Sequence, residues 1–284
     1  MRFTSEHHLD DGVVEREFTV GDIPGTVWTP RATPAPLVLM AHNNGLPRSD
    51  ARLVARARYT AGEHGYAVAS IDAAGCGDRS RSVALEQAGA DLRRALQVGE
   101  PVDEILESLV GPLVHDAAPE WRAVLGDLLL LPELDGRVGY SGWAALGIRL
   151  TVAEPRIAAT CLFAGGFVPR AQRDEARQVT APVLLLLQWD DAGNPRQRAF
   201  DLFDAFTSAE KTLHANRGGH LGTPAFELED TCRFFGRHLR EAEAAGPAPA
   251  SPSSGPSVAG SSAGRGGVPG DRAVGGAAPD ADVT

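Results

Sequence analysis

The sequence predicts an α/β protein with a mainly parallel central sheet and helices on both faces. Two observations carry this. Continuous apolar runs such as PLVLMA (36–41) and PVLLLLQ (182–188) suit strands buried on both faces. Between these runs lie stretches with helical spacing of apolar residues, which is the alternation a parallel sheet requires.

In chain order, 13–20 and 26–29 predict an opening antiparallel pair, with Pro24-Gly25 near the turn. Residues 36–41 form the first buried strand, followed by a helix over 49–64 that Ser49 or Asp50 caps and Gly65 ends. YAVASID (66–72) is the next strand. Residues 84–131 are long and mostly helical, with a break at Gly99-Glu100-Pro101. That is more chain than one crossover needs, and part of it could cap a site. A short strand over 137–140 precedes a helix over 143–153. Further strands fall at 157–164, 182–188 and 211–215, and further helices at 195–206 and 224–239. His7-His8 belong to a polar N-terminal arm. From about residue 246 to 284 the chain lacks aromatic residues, Leu and Ile, so it predicts a disordered tail behind a single domain over 1–245.

The chain has 284 residues, 43% of them hydrophobic, and a net charge of −10. That excess of negative charge argues against nucleic acid or anionic lipid as a partner. The start lacks a basic segment followed by an apolar core, and no apolar run approaches the ~20 residues that span a bilayer. Three widely spaced cysteines, Cys76, Cys161 and Cys232, suggest free thiols in a reducing cytoplasm. No ligand spacing for a metal is visible, and the sequence carries no signal for an oligomeric state. A small-molecule substrate is the expected partner.

In parallel sheets, chemistry sits in loops at the carboxyl ends of strands. Those loops hold His42-Asn43-Asn44-Gly45, Ala73 to Arg79, Ser141-Gly142-Trp143, Trp189 to Pro195, and Asn216 to His220. A serine, a carboxylate and a histidine thus follow three strands in that order, the order of the α/β-hydrolase triad. The chemistry explains the grouping. A histidine takes the proton of a weakly nucleophilic serine, and a carboxylate fixes the histidine's tautomer. Ser141, Asp191 and His220 are therefore the expected catalytic residues. The N–H of Gly142 and an N–H of the Asn43-Asn44 loop are the expected oxyanion donors. His42 is expected to brace its loop beside the substrate, Asp72 to brace backbone N–H groups, and Arg79 to pair with Asp78.

The chain resembles the dienelactone-hydrolase-like branch of the α/β-hydrolases, especially its actinobacterial esterase-type members. The resemblance rests on LVLMAHNNG (37–45), AVASIDAAGCGDR (67–79), GYSGW (139–143), AEPRIAA (153–159), LLQWDDAGNPR (186–196) and HANRGGH (214–220). It implies acyl hydrolysis without a cofactor, through Ser141, Asp191 and His220. It also implies Asp191 over Asp190 as the acid, because the family places the acid a few residues before a proline such as Pro195. Two departures stand at the site. Trp143 occupies the fifth place of G-x-S-x-G, where the family has a small residue, and Asn43-Asn44 replace glycines of the oxyanion loop. A second register, in which Gly139-Tyr140 stay in the strand, puts Ala144 in the nucleophile place. The Ser141 register is preferred because it continues without a gap into AEPRI. These departures keep a non-hydrolytic lyase, cyclase or isomerase, or an inactive binding homologue, in view.

Overall fold

The computed structural model describes residues 1–240 except 43–45, 73, 75, 76, 78, 80–82, 192, 193 and 221. The expected tail lies outside the described residues, as do Asn43, Asn44, Cys76 and Asp78.

Among the described residues, nine strands form one sheet: β1 (Arg2–His8), β2 (Val14–Val20), β3 (Ile23–Thr29), β4 (Ala35–Met40), β5 (Ala67–Ile71), β6 (Leu134–Trp143), β7 (Ile157–Phe163), β8 (Val183–Gln188) and β9 (Lys211–Asn216). Their order is β1-β2-β3-β5-β4-β6-β7-β8-β9. The first three strands join the sheet antiparallel, and the pairings from β5 through β4 to β9 are parallel. After β4 the chain crosses to β5 on one side, then returns to place β6 on the other side of β4. The sheet therefore has its topological switch point between β4 and β6, where flanking loops diverge and leave a crevice.

β1 stands where the sequence predicts only a polar arm. Its residues alternate RFTSEHH and are exposed on both faces except for a half-buried Ser5, so no apolar pattern announces it. Pairing with β2, from Arg2↔Thr19 to His8↔Val14, holds it in place.

Helices α1 (Ala51–Gly62) and α7 (Phe226–Leu239) cover one face. The Asp50 side chain caps α1 by accepting from the Arg52 N–H at 3.1 Å. The other face carries α2 (Val83–Val98), α3 (Asp103–Leu128), α4 (Ala144–Ala153), α5 (Arg170–Ala176) and α6 (Arg196–Ala205). The expected helical stretch over 84–131 is thus two helices. α3 buries Leu106, Val110, Leu113, Val114, Ala117, Trp121, Val124 and Leu128, at spacings of one to four residues. That stripe packs on α4 as part of the main core, with α2 lying against α3. Pro112 and Pro119 inside α3 each remove a backbone donor, and the buried stripe keeps the helix continuous past them. No helix among the described residues is long and apolar enough to cross a membrane.

Cys161 and Cys232 are buried, free thiols between the sheet and the α1–α7 layer. Burial pushes both up to about 11. At pH 8 roughly one thiol in a thousand would then be thiolate, the reactive form. Iodoacetamide should leave both residues unmodified in the folded protein and alkylate both in urea, read by peptide mapping. Rapid native alkylation of either would contradict the packing of this layer.

Candidate active site

The strand-to-helix turn after β6 decides where a nucleophile could stand, and it lies three residues beyond the sequence expectation. β6 continues to Trp143, and α4 starts at Ala144. Ladder pairing carries the strand that far on the β7 side and as far as Ser141 on the β4 side. Met40 pairs with Ser141 on the β4 side, and Trp143 pairs with Phe163 on the β7 side. The Ala41 N–H also donates to the Ser141 carbonyl at 3.0 Å. Ser141 is thus an interior strand residue, and Ala144 opens the helix.

Gly142 shows why the turn takes this register. Its φ is +155°, and a Cβ there would lie 2.3 Å from the Ala41 carbonyl oxygen. Only glycine lets β4 and β6 approach so closely. Gly147, on the first turns of α4, is required by packing as well, since a Cβ there would lie 2.5 Å from the Tyr140 ring. Neither Ser141 nor Ala144 has a positive φ, so the strained backbone of a nucleophile elbow is absent from both positions.

Ser141 is 2% exposed and faces the α1 side of the sheet. Arg56 of α1 donates from its guanidinium to Ser141 Oγ at 3.4 Å, and Cys161, the β7 partner of Ser141, lies beside it. Desolvation of the guanidinium pulls Arg56 below its ordinary value, although the residue as a whole is exposed. Among the described residues, no hydrogen bond joins Ser141 to His220.

The Tyr140 hydroxyl stabilises the turn by donating to the Trp143 carbonyl at 2.9 Å. Tyr140 is fully buried, and burial holds its phenol well above the usual range, so it remains a donor. Tyr140→Phe should cost about 1–2 kcal/mol, because it strands a buried carbonyl. Urea unfolding checks this; an unchanged midpoint would show that the bond does not hold the turn.

Asp191 and His220 are brought together. His220 Nδ1 lies 2.6 Å from Asp191 Oδ2. Asp191 is 5% exposed at its side chain and His220 is 31% exposed. The imidazole rests against Phe163 and Phe167, with ring centroids 5.3 and 6.2 Å away. Its Nε2 has no hydrogen-bond partner among the described residues. Phe163 is the strand partner of Trp143, so the imidazole stands level with the end of β6. Ser141 lies two residues back, roughly 6.6 Å along the strand.

Asp190 ties the two loops together. Its carboxylate accepts from the Gly218 N–H at 3.0 Å, and its own N–H donates to the Gly218 carbonyl at 3.1 Å. The Trp189 N–H adds a bond to the Asn216 carbonyl at 2.6 Å.

His42 follows β4 and places Nε2 3.5 Å from Asp50, the cap of α1. Asp72, fully buried, accepts from the Arg48 N–H at 2.6 Å and from the Arg48 guanidinium. The expected pairing of Arg79 with Asp78 lies outside the described residues. Arg79 makes two bonds to Glu120 of α3, at 2.7 and 2.8 Å, and one to the Asp72 carbonyl at 3.2 Å. Trp143 is 8% exposed and belongs to the core. Gly142 N–H, the expected oxyanion donor, sits within the β6–β7 pairing.

Sequence reasoning missed the donors at the head of α4. Trp143 makes no side-chain cap there. The first N–H groups of an uncapped helix lack intrahelical partners and favour negative charge. Beside the acid loop, a cleft of about 790 Å³ is lined by Trp189, Asp190, Asp191, Pro195, Arg196 and Phe200 among others. Arg196 stacks 4.5 Å over the Trp189 ring, which is 41% exposed.

Strand order, switch point and a carboxylate–histidine pair beyond β8 and β9 define an α/β-hydrolase fold. No protein-family model and no curated protein sequence matches the chain. Solved structures do, and esterases and a hydrolase are among them. A PEG-bound cold-adapted esterase from an Arctic intertidal metagenomic library is 25% identical, with a TM-score of 0.65 over 84% of this chain and all of that one. Acetyl xylan esterase 1 from Thermoanaerobacterium is 16% identical, with a TM-score of 0.59 over 82% of this chain and 86% of that one. A 2,6-dihydroxy-pseudo-oxynicotine hydrolase is 16% identical, with a TM-score of 0.58 over 82% and 70%.

Proposed function

We propose that this chain is an acyl hydrolase of the dienelactone-hydrolase-like branch that works through His220 and Asp191 without a serine nucleophile. One observation carries the reading. The pair is assembled and its outer nitrogen has no hydrogen-bond partner among the described residues, while the residue at the head of α4 is Ala144. The likeness to esterases supports an ester or lactone of small to medium size as substrate. This reading replaces Ser141 as nucleophile, because Ser141 Oγ is engaged by Arg56 on the α1 side of the sheet.

With the carbonyl seated at the head of α4, water attacks the acyl carbon directly. His220 Nε2 takes the water proton as the C–O bond forms. The oxyanion faces the free N–H groups of the first turn of α4. Asp191, bonded to Nδ1–H, steadies the imidazolium. The tetrahedral adduct then expels the alkoxide, which receives the proton from His220. No acyl-enzyme forms, and atoms and charge balance over the cycle.

Ester and lactone turnover in Ser141→Ala should stay within about threefold of the unaltered chain, since the group takes no part in the chemistry. The intact mass of protein quenched during turnover should show no acylated species. Loss of activity in a folded Ser141→Ala, together with an acyl adduct in the unaltered chain, would overturn the proposal.

A further inference from the structure

We propose that His214, Glu227 and Asp230 bind a Zn²⁺ ion that staples β9 to α7. One ligand atom from each residue lies within 4.8 Å of the others. His214 Nδ1 and Glu227 Oε2 are already 2.9 Å apart. Ligand atoms around a tetrahedral zinc, with bonds of about 2.1 Å, stand roughly 3.4 Å from one another. Side-chain rotations that bring the atoms together by about 1.4 Å close that difference.

The scaffold suits the task. Glu227 and Asp230 sit three residues apart on α7 and so share a face, and His214 projects from the adjoining strand. One imidazole and two carboxylates form a three-ligand donor set for zinc, and two carboxylates balance the charge of the ion. The side chains of His214 and Asp230 are 32% and 33% exposed, which leaves a fourth position open to water. Glu227 is only 2% exposed, and its second oxygen accepts from the Asn216 amide at 2.6 Å. Such outer bonds orient a metal-binding carboxylate. Asp230 now pairs with Arg233 at 3.1 Å, but Arg233 is 64% exposed and its pairing contributes little.

A second observation points to this face of the sheet. Gln188, the β8 partner of Asn216, is 1% exposed, and neither end of its amide has a hydrogen-bond partner among the described residues. Side chains at paired positions of parallel strands share a face, so this unspent amide stands on the side that carries Asn216 and His214. A buried polar group without a partner costs stability unless water or an ion completes its surroundings.

The staple has a consequence for the loop between β9 and α7, which carries His220. Zinc would fix both ends of that loop. This inference does not depend on the proposed hydrolysis, and its readout is binding.

The test is calorimetric titration of ZnCl₂ into the full chain after EDTA treatment and dialysis, with a parallel thermal melt. The expected result is saturable uptake of one ion per chain and a raised Tm. Asp230→Asn and His214→Gln should each weaken binding about tenfold or more. His7→Gln/His8→Gln should leave it unchanged, and MgCl₂ should not compete. Circular dichroism confirms the fold of each variant, and the half-exposed Asp230 keeps the test valid if His214→Gln does not fold. Absence of saturable binding, or equal affinity in Asp230→Asn and the unaltered chain, would overturn the proposal.

Discussion

His220→Ala should lower ester or lactone kcat/KM by about a hundred- to ten-thousand-fold, the range a positioned general base contributes. The expectation rests on the open Nε2 and on the 2.6 Å contact behind it. Asp191→Asn should bring a loss of similar order with the fold intact, because an amide no longer enforces the tautomer that leaves Nε2 free to accept a proton. Asp190→Asn should differ from both. Its carboxylate holds the Gly218 N–H at 3.0 Å and does not touch His220, so the larger effect should fall on stability of the loop. Steady-state kinetics on the three purified variants measure this. Equal activity in His220→Ala and the unaltered chain would remove the base from the mechanism.

Ala144→Ser should place a reactive hydroxyl at the head of α4. Residue 144 opens α4 beside uncapped N–H groups, and His220 stands level with the end of β6. A hydroxyl placed there should gain covalent labelling by a fluorophosphonate, at one site, with the adduct mapped to residue 144. Adding His220→Ala should abolish the gain, because a serine hydroxyl needs an adjacent base to react at neutral pH. The unaltered chain and Ser141→Ala serve as references, and the expected increase over them is from no adduct to complete modification. Failure of a folded Ala144→Ser to label would show that the head of α4 does not face the imidazole.

The parallel strands were legible because they are buried on both faces. PLVLMA and PVLLLLQ admit no water-facing residue, and they became β4 and β8. β1 was not legible, since its pairing partner alone places it and its side chains meet solvent on both sides. α5 is seven residues long and lacked a readable period. The approach of Asp191 to His220 was legible from loop position, because residues that follow neighbouring parallel strands converge at one edge of the sheet.

The turn after β6 was not legible, for a definite reason. GYSGWAAL holds two glycines three apart, Gly139 and Gly142, and either could open an elbow. Both are needed for packing: a Cβ at Gly139 would lie 2.7 Å from Phe235, and one at Gly142 would strike the Ala41 carbonyl. Only the sheet ladder separates them, and ladder hydrogen bonds are tertiary information. Arg56 carried no signal either. It is one of several arginines on α1, and nothing local marks it as the one that reaches Ser141.

One measurement shows directly which residue occupies the nucleophile seat. The unaltered chain is incubated with a fluorophosphonate in excess, and its intact mass is recorded. The expected result is an unmodified mass, with Ser141 held in β6 by Arg56 and Ala144 at the head of α4. A single adduct mapped to Ser141, absent in Ser141→Ala and reduced in His220→Ala, would contradict it and return Ser141 to the catalytic centre.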